Sequence, residues 1–152
     1  MGLAELKFLV PPFAVVVPNT NRMKLTAPDY VILIVENLDR ALDFYTGILG
    51  LRLGHRSGDY AQLDTGITRL SLYTRKAMAQ MLGMSLEAPA ANAPGFEIGF
   101  KVTDVDAVFG ELVARGALAV VPPTDRFWGQ RTAYVRDPDG HLVELAQDLR
   151  KP

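Results

Sequence analysis

Few side chains in this sequence are equipped for chemistry, and most of those are carboxylates and aromatics. Cysteine is absent. Thiol nucleophiles, iron–sulfur clusters, zinc knuckles and disulfide staples are therefore excluded. Histidine occurs twice, as His55 and His141. The three serines, Ser57, Ser71 and Ser85, sit in no Gly-x-Ser-x-Gly elbow, and no glycine-rich phosphate loop occurs. Glu97 and Glu144 remain as a pair of carboxylates. They could exchange protons with a substrate, contact a ligand, or simply pair with Lys101, Arg131 or Arg136. Arg131 is itself a candidate ligand contact. The aromatic candidates are Tyr30, Tyr60, Tyr73 and the only tryptophan, Trp128. Tyr73 and Tyr134 have packing as their alternative role.

These residues can meet only if the chain brings them to common surfaces, and an internal repeat indicates how. Tyr30-Val-Ile-Leu-Ile-Val-Glu-Asn-Leu-Asp39 matches Glu97-Ile-Gly-Phe-Lys-Val-Thr-Asp-Val-Asp106 at an offset of 67 residues, the separation of Tyr30 from Glu97. Val31, Leu33 and Val35 fall on Ile98, Phe100 and Val102, so each half opens with an alternating strand. Asn37 and Asp104 then suit helix N-caps, because their side-chain oxygens can accept from free amides of the first turn. Leu38, Ala41, Leu42, Tyr45, Ile48 and Leu49 form the apolar stripe of the first helix. Val105, Val108, Phe109, Leu112 and Val113 form that of the second. Gly50 and Gly116 stand where each helix must close. Three strands are predicted after each helix: Leu51–Ser57, Tyr60–Asp64 and Ile67–Tyr73, then Ala117–Val121, Arg131–Arg136 and His141–Gln147. Asp137-Pro-Asp-Gly140 is a hairpin signal. Between the halves, Thr74 to Pro94 carries a short helical piece at Ala77–Leu82. Each half thus reads β-α-β-β-β. If Val31, Leu33 and Val35 pack under the helix, Tyr30, Ile32 and Ile34 face the other side. The same parity sends Glu97 and Glu144 to the side opposite Ile98, Phe100, Val143 and Leu145.

Paired βαβββ modules of this kind resemble the vicinal oxygen chelate superfamily of glyoxalases, extradiol dioxygenases and bleomycin-resistance-type proteins. The resemblance is carried by Val35-Glu-Asn-Leu-Asp-Arg-Ala-Leu-Asp-Phe-Tyr45 with Leu49-Gly-Leu51, and by Trp128-Gly-Gln-Arg131 followed by Asp137-Pro-Asp-Gly-His-Leu-Val-Glu144. It runs from about Ala27 to Leu149 and looks most like the bleomycin-resistance branch. It implies an α+β fold of two modules whose mixed sheets form cupped, barrel-like clefts, completed in a homodimer. Catalytic members place a metal ligand, normally His, at the start of the first strand of each module, and a carboxylate on a last strand. Here those positions hold Tyr30, Glu97 and Glu144: Glu144 alone matches outright, Glu97 offers a second carboxylate, and the two carboxylates with the tyrosine would hold a hard cation only weakly. His55 reads as lying on a middle strand, and His141 as serving its own turn. The resemblance also makes Tyr60 and Trp128 stacking positions. Two flat walls would suit a planar ligand.

Composition sets the remaining bounds. The chain has 152 residues, 49% of them hydrophobic, enough for one domain with a sizeable core. Sixteen Lys and Arg against 17 Asp and Glu leave no basic face for a nucleic acid or an anionic membrane. The longest apolar stretch, Phe8–Val17, is broken by Pro11 and Pro12 and is too short to span a bilayer. The organisation expected is an N-terminal extension (1–26), a first module (27–74), a linker (75–95) and a second module (96–149). Phe13–Val17 is a candidate edge strand within the extension. The absence of cysteine fits a cytoplasmic location. The expectation is a homodimeric, cofactor-free protein whose cleft sequesters a small planar organic molecule such as an antibiotic. A divergent metal-dependent lyase, isomerase or dioxygenase is the alternative. A non-catalytic subunit with an aromatic surface for another protein is the third reading.

Overall fold

The structure, a computed structural model, describes residues 29–90 and 92–149. The N-terminal extension, with its candidate strand at Phe13–Val17, lies outside the described residues. The first module runs β1 (Tyr30–Val35), α1 (Leu38–Leu42) continued by a π-helical turn (Asp43–Ile48), β2 (Arg52–Ser57), β3 (Tyr60–Asp64) and β4 (Arg69–Thr74). α2 (Arg75–Leu82) follows. The second module runs β5 (Glu97–Lys101), α3 (Val105–Ala114), β6 (Leu118–Arg126), β7 (Gln130–Arg136) and β8 (Leu142–Asp148). Two mixed four-stranded sheets result, in the orders β1-β4-β3-β2 and β5-β8-β7-β6. In each, the first strand pairs parallel with the last and the other pairings are antiparallel. This is the α+β arrangement of two βαβββ modules that the repeat implied.

Local chemistry explains the elements. Asn37 caps α1 by accepting from the Arg40 amide at 2.9 Å, and Asp104 caps α3 by accepting from the Ala107 amide at 3.0 Å. The π-helical turn is visible as a bond from the Leu49 amide back to the Phe44 carbonyl at 2.9 Å. One extra residue in the turn lets two sequence neighbours, Phe44 and Tyr45, both enter the core. Their rings meet edge to face with centroids 5.1 Å apart. The stripe expected from a regular helix had no place for Phe44.

Two strand expectations are corrected. β6 does not end at Val121 but continues through Pro122 and Pro123 to Arg126, taking over much of the expected loop. β6 is an outer strand, and its pairing with β7 shifts register between Val121 and Thr124, so the two prolines leave the ladder little to lose. β2, which carries His55, is likewise an outer strand rather than a middle one, and every residue of it is exposed.

The two sheets share one core. Leu33, Val35, Leu63 and Leu72 from the first and Val135 and Val143 from the second are each fully buried, at 0% exposure. They join Ala41, Phe44 and Tyr45 of the first helix and Val105 and Leu112 of α3 in a single cluster. Burial of each large aliphatic side chain contributes about 1.5–3 kcal/mol.

The modules are also joined through the β7–β8 turn. Asp137 is buried and its carboxylate accepts four hydrogen bonds. Oδ1 takes the amides of Asp139 at 3.0 Å and His141 at 2.7 Å. Oδ2 takes the Tyr45 hydroxyl at 2.8 Å and His141 Nδ1 at 2.7 Å. A carboxylate oxygen only accepts, so Nδ1 carries the proton. Asp139 reaches the other module as well, accepting the Glu36 amide at 2.8 Å. Burial pushes the Asp137 carboxyl up, but the bond and charge of His141, helped by Tyr45, outweigh it and leave the group below its ordinary value. Burial raises the Tyr45 phenol, and the neighbouring Asp137 raises it further.

A depressed carboxylate stabilises the fold above its unfolded pKa of about 3.9, and that contribution fades as pH falls through the lower folded value. Tyr45→Phe should lower the unfolding free energy at neutral pH by about 1–2 kcal/mol. The deficit should shrink in acid as Asp137 protonates. Urea titrations at neutral pH and below the carboxylate range check both points. Equal stability of the variant and wild type at neutral pH would show that the hydroxyl contributes nothing.

Candidate functional site

Strand alternation separates the residues of each sheet into a helix side and an open side. In the first sheet, Ile32 lies in register with Ser71 and Gln62, and Ile34 with Tyr73 and Tyr60. These residues oppose the buried Leu33, Val35, Leu70, Leu72, Ala61 and Leu63. The open side therefore gathers the expected Tyr60 and Tyr73, whose rings meet edge to face at 5.9 Å. The Tyr60 hydroxyl bonds the buried Ser71 hydroxyl at 2.9 Å. Tyr30 begins β1 with its ring 5.8 Å from the Arg69 guanidinium, which pairs with Asp29. Tyr30, Ile32, Tyr60, Gln62 and Arg69 line one depression of about 270 Å³.

The second sheet gives a different face. Gly99, Glu144 and Tyr134 are in register across β5, β8 and β7. The Tyr134 hydroxyl donates to Glu144 Oε1 at 2.8 Å. The other carboxylate oxygen packs over Gly99, where a Cβ would come within 3.1 Å of it. A side chain at position 99 would thus push Glu144 aside. Glu97 begins β5 on the same side. Burial raises its carboxyl above the usual range, and the negative charge of Glu144 adds to the shift. Burial pushes the Tyr134 phenol up to about 12, with its bond to Glu144 and the charges of both glutamates adding to the rise. The pairings weighed for these carboxylates do not form. Lys101 pairs with Asp148, and Arg131 with Asp106 and Asp125. Among the described residues neither Glu97 nor Glu144 has an ion-pair partner.

Two expected contacts are placed elsewhere. Arg131 points to the helix side, where its Nε and Nη2 meet the Asp106 carboxylate at 2.7 and 2.8 Å and its Nη1 meets Asp125 at 2.7 Å. Parity explains this: Arg131 alternates with Thr132 and Tyr134 of the open side, so it shares the side of α3. Trp128 stands at the β6–β7 turn, 52% exposed, edge to face with Phe127 at 4.9 Å and bonded through Nε1 to Gln130 at 2.9 Å. It does not line the depression that holds Tyr60. Within one chain the two proposed stacking residues therefore lie on separate sheets. Tyr134, for which packing is the alternative role, is the hydrogen-bond partner of Glu144. The signal for it was present: it shares parity with Thr132 on a strand next to that of Glu144.

The residues at the metal positions of the resembled enzymes do not fit such an ion. Tyr30 and the first-sheet counterparts Ser71 and Tyr73 are poor donors, and Glu144 already holds the Tyr134 proton donor. Among the described residues no group of three His, Asp or Glu side chains is arranged to hold a metal.

The charge repulsion can be measured. In Glu144→Gln the Glu97 carboxyl should titrate lower than in wild type, because one of its two causes of elevation is gone. Carbon-13 NMR titration of the glutamate side chains reads the shift. An unchanged Glu97 would show that the two groups do not sense each other.

Comparison with known proteins agrees with this geometry. The family model for the Glyoxalase/Bleomycin resistance protein/Dioxygenase superfamily matches residues 27–145. The uncharacterized protein YraH of Bacillus subtilis (strain 168) is 35% identical over 123 residues, covering 77% of this chain and 94% of its own. A crystal structure of a glyoxalase/bleomycin resistance protein/dioxygenase from Nocardioides superposes with a TM-score of 0.77 at 21% identity, over 89% of this chain and 91% of that one. TioX from Micromonospora sp. ML1 superposes with a TM-score of 0.61 at 30% identity, over 82% and 100%.

Proposed function

The chain belongs to the Glyoxalase/Bleomycin resistance protein/Dioxygenase superfamily, and we propose that within it the protein is a metal-free binder of a small planar organic molecule, an antibiotic or a metabolite. The observation that carries this reading is the chemistry of the two open faces. One offers Tyr30, Tyr60 and Tyr73 with the hydroxyl of Ser71 and the amide of Gln62. The other offers Glu97 and Glu144 without cationic partners among the described residues. Aromatic faces stack on flat ligands, and unpaired carboxylates accept from ligand N–H or O–H groups. A donor set of this kind suits recognition better than Lewis-acid chemistry.

Trp128 enters the same reading through assembly. Tyr60 and Trp128 lie on different sheets of one chain, so a cleft walled by both is completed by a second copy. Outer strands β2 and β6 leave backbone edges that such a copy could cover. A second reading, acid–base catalysis, has one observation in its favour. Glu97 and Glu144 share one face closely enough that the charge of Glu144 adds to the burial that raises Glu97, and paired carboxylates of this kind are what acid–base chemistry uses.

Native mass spectrometry of freshly purified protein tests the assignment directly. A dimer without stoichiometric metal, carrying a co-purified organic molecule unchanged on release, is the expected result. A metal near one per chain that disappears in Glu144→Ala would overturn it, and release of a converted product would favour catalysis.

The stacking role has its own readout. A planar ligand should quench the fluorescence of Trp128, the only tryptophan. Trp128→Ala and Tyr60→Ala should each weaken binding roughly tenfold by calorimetry, with the fold retained by circular dichroism. Wild-type affinity in both variants would remove the stacking walls from the model.

A further inference from the structure

A cavity of about 540 Å³ lies between the open side of β1, the chain leading into β5, and the β7–β8 turn. Its walls are of two kinds. Ile32 and Ile34 of β1 and Phe96, just before β5, supply apolar surface. Arg75, Arg136 and His141 supply polar groups. The volume falls within the range of small-molecule sites, and the mixture of apolar walls with a few convergent polar groups is what such sites require.

The charges in the wall do not cancel. Arg75 is engaged, with Nε 3.2 Å from Glu36 and Nη1 donating to the Glu87 carbonyl at 3.1 Å. The Asp139 carboxylate, also in the wall, accepts the Glu36 amide through Oδ1 at 2.8 Å, with Arg40 3.7 Å from the same oxygen, while its Oδ2 is buried without a hydrogen-bond partner among the described residues. The His141 ring is held by Asp137 through Nδ1 at 2.7 Å and packs against Phe96 with centroids 5.6 Å apart. Its Nε2 has no partner among the described residues. Arg136 differs from all of these. It is half-buried and has neither an ion pair nor a hydrogen bond among the described residues. A guanidinium desolvated on one side gains from a carboxylate, which it meets with two parallel N–H bonds.

We propose that this cavity is a binding site for a small organic monoacid with an apolar body. The body lies against Ile32, Ile34 and Phe96, the carboxylate meets Arg136, and His141 stands at its edge. Among the described residues Arg136 is the one cation of this wall without an ion-pair partner, and it is the group that selects a carboxylate. The apolar walls exclude a bare inorganic anion, which would give up its hydration for nothing. The site borders the Tyr30–Tyr60 depression, with which it shares Ile32, but its polar groups Arg75, Arg136 and His141 lie outside that depression, so it does not depend on the stacking model.

The two histidines make the test specific. His141 lines the cavity, whereas His55 is exposed on the outer strand β2 and serves as an internal reference. Phenylacetate is the probe, phenylacetamide its uncharged counterpart, and inorganic phosphate the anion without an apolar body. Phenylacetate should shift the imidazole NMR signals of His141 in a saturable way and leave those of His55 in place. Phenylacetamide and phosphate should bind at least roughly tenfold more weakly, and Arg136→Gln should weaken phenylacetate by a similar factor while retaining the fold. Arg52→Gln, on the exposed outer strand β2 and outside the cavity, should leave phenylacetate binding unchanged, and the His141 readout keeps this result distinct from the Trp128 quenching of the planar-ligand experiment. No saturable shift at millimolar phenylacetate would overturn the proposal. So would an equal shift from phenylacetamide or phosphate, or full affinity in Arg136→Gln.

Discussion

The buried carboxylate of Asp137 is the constraint on which the arrangement of this molecule turns. A charge removed from water has to be matched closely, and here four donors do so. Two come from the turn's own backbone and fix its shape. The third, His141 Nδ1, fixes a ring that lines a cavity. The fourth, the Tyr45 hydroxyl, comes from the other module. One side chain thereby sets a turn, a histidine orientation and the relation between two sheets. Asp139 repeats the last of these roles by accepting the amide of Glu36 at the end of β1. Removing any donor leaves a buried polar group short of a partner, so the contacts depend on one another.

The π-helical turn belongs to the same constraint. A regular helix already places Tyr45 on the stripe of Leu38, Ala41 and Leu42, with Phe44 at its edge. The extra residue lets Phe44 pack while Tyr45 keeps both its burial and its reach to Asp137. The wide turn and the inter-module bond thus occupy the same segment of chain.

With the modules locked, each sheet is free to use its open side differently. The first gathers phenol rings and neutral hydrogen-bonding groups around Ser71. The second holds two acids near each other, supported by Tyr134 and by the lack of a side chain at Gly99. Placing like charges together on a partly desolvated face costs stability, and the raised Glu97 records that cost. Such strain is common where a ligand is meant to relieve it. The chain shares its family with proteins of diverse chemistry, so its own site residues rather than its fold carry the functional reading.

Sequence alone determined the repeating architecture of this protein. The 67-residue offset, the alternation in Val31-Leu33-Val35 and Ile98-Phe100-Val102, and the caps Asn37 and Asp104 are local signals, and local physics settles them. Parity also placed Glu97 and Glu144 on the side away from the helices. It could have placed Arg131 with α3 had the same alternation been applied to β7. What sequence did not determine depends on distant partners. Three donors to Asp137 lie 2 and 4 positions away, but the Tyr45 hydroxyl is 92 away, and the link from Asp139 to Glu36 spans 103. The extension of β6 through two prolines follows from its position at the edge of a sheet, which is a fact of topology and not of composition. The separation of Tyr60 from Trp128 is likewise a matter of which sheet each belongs to. Spacing along a chain specifies which side of a strand a residue faces. Only the packed structure decides what stands opposite it, because that depends on chain segments that local propensity does not reach.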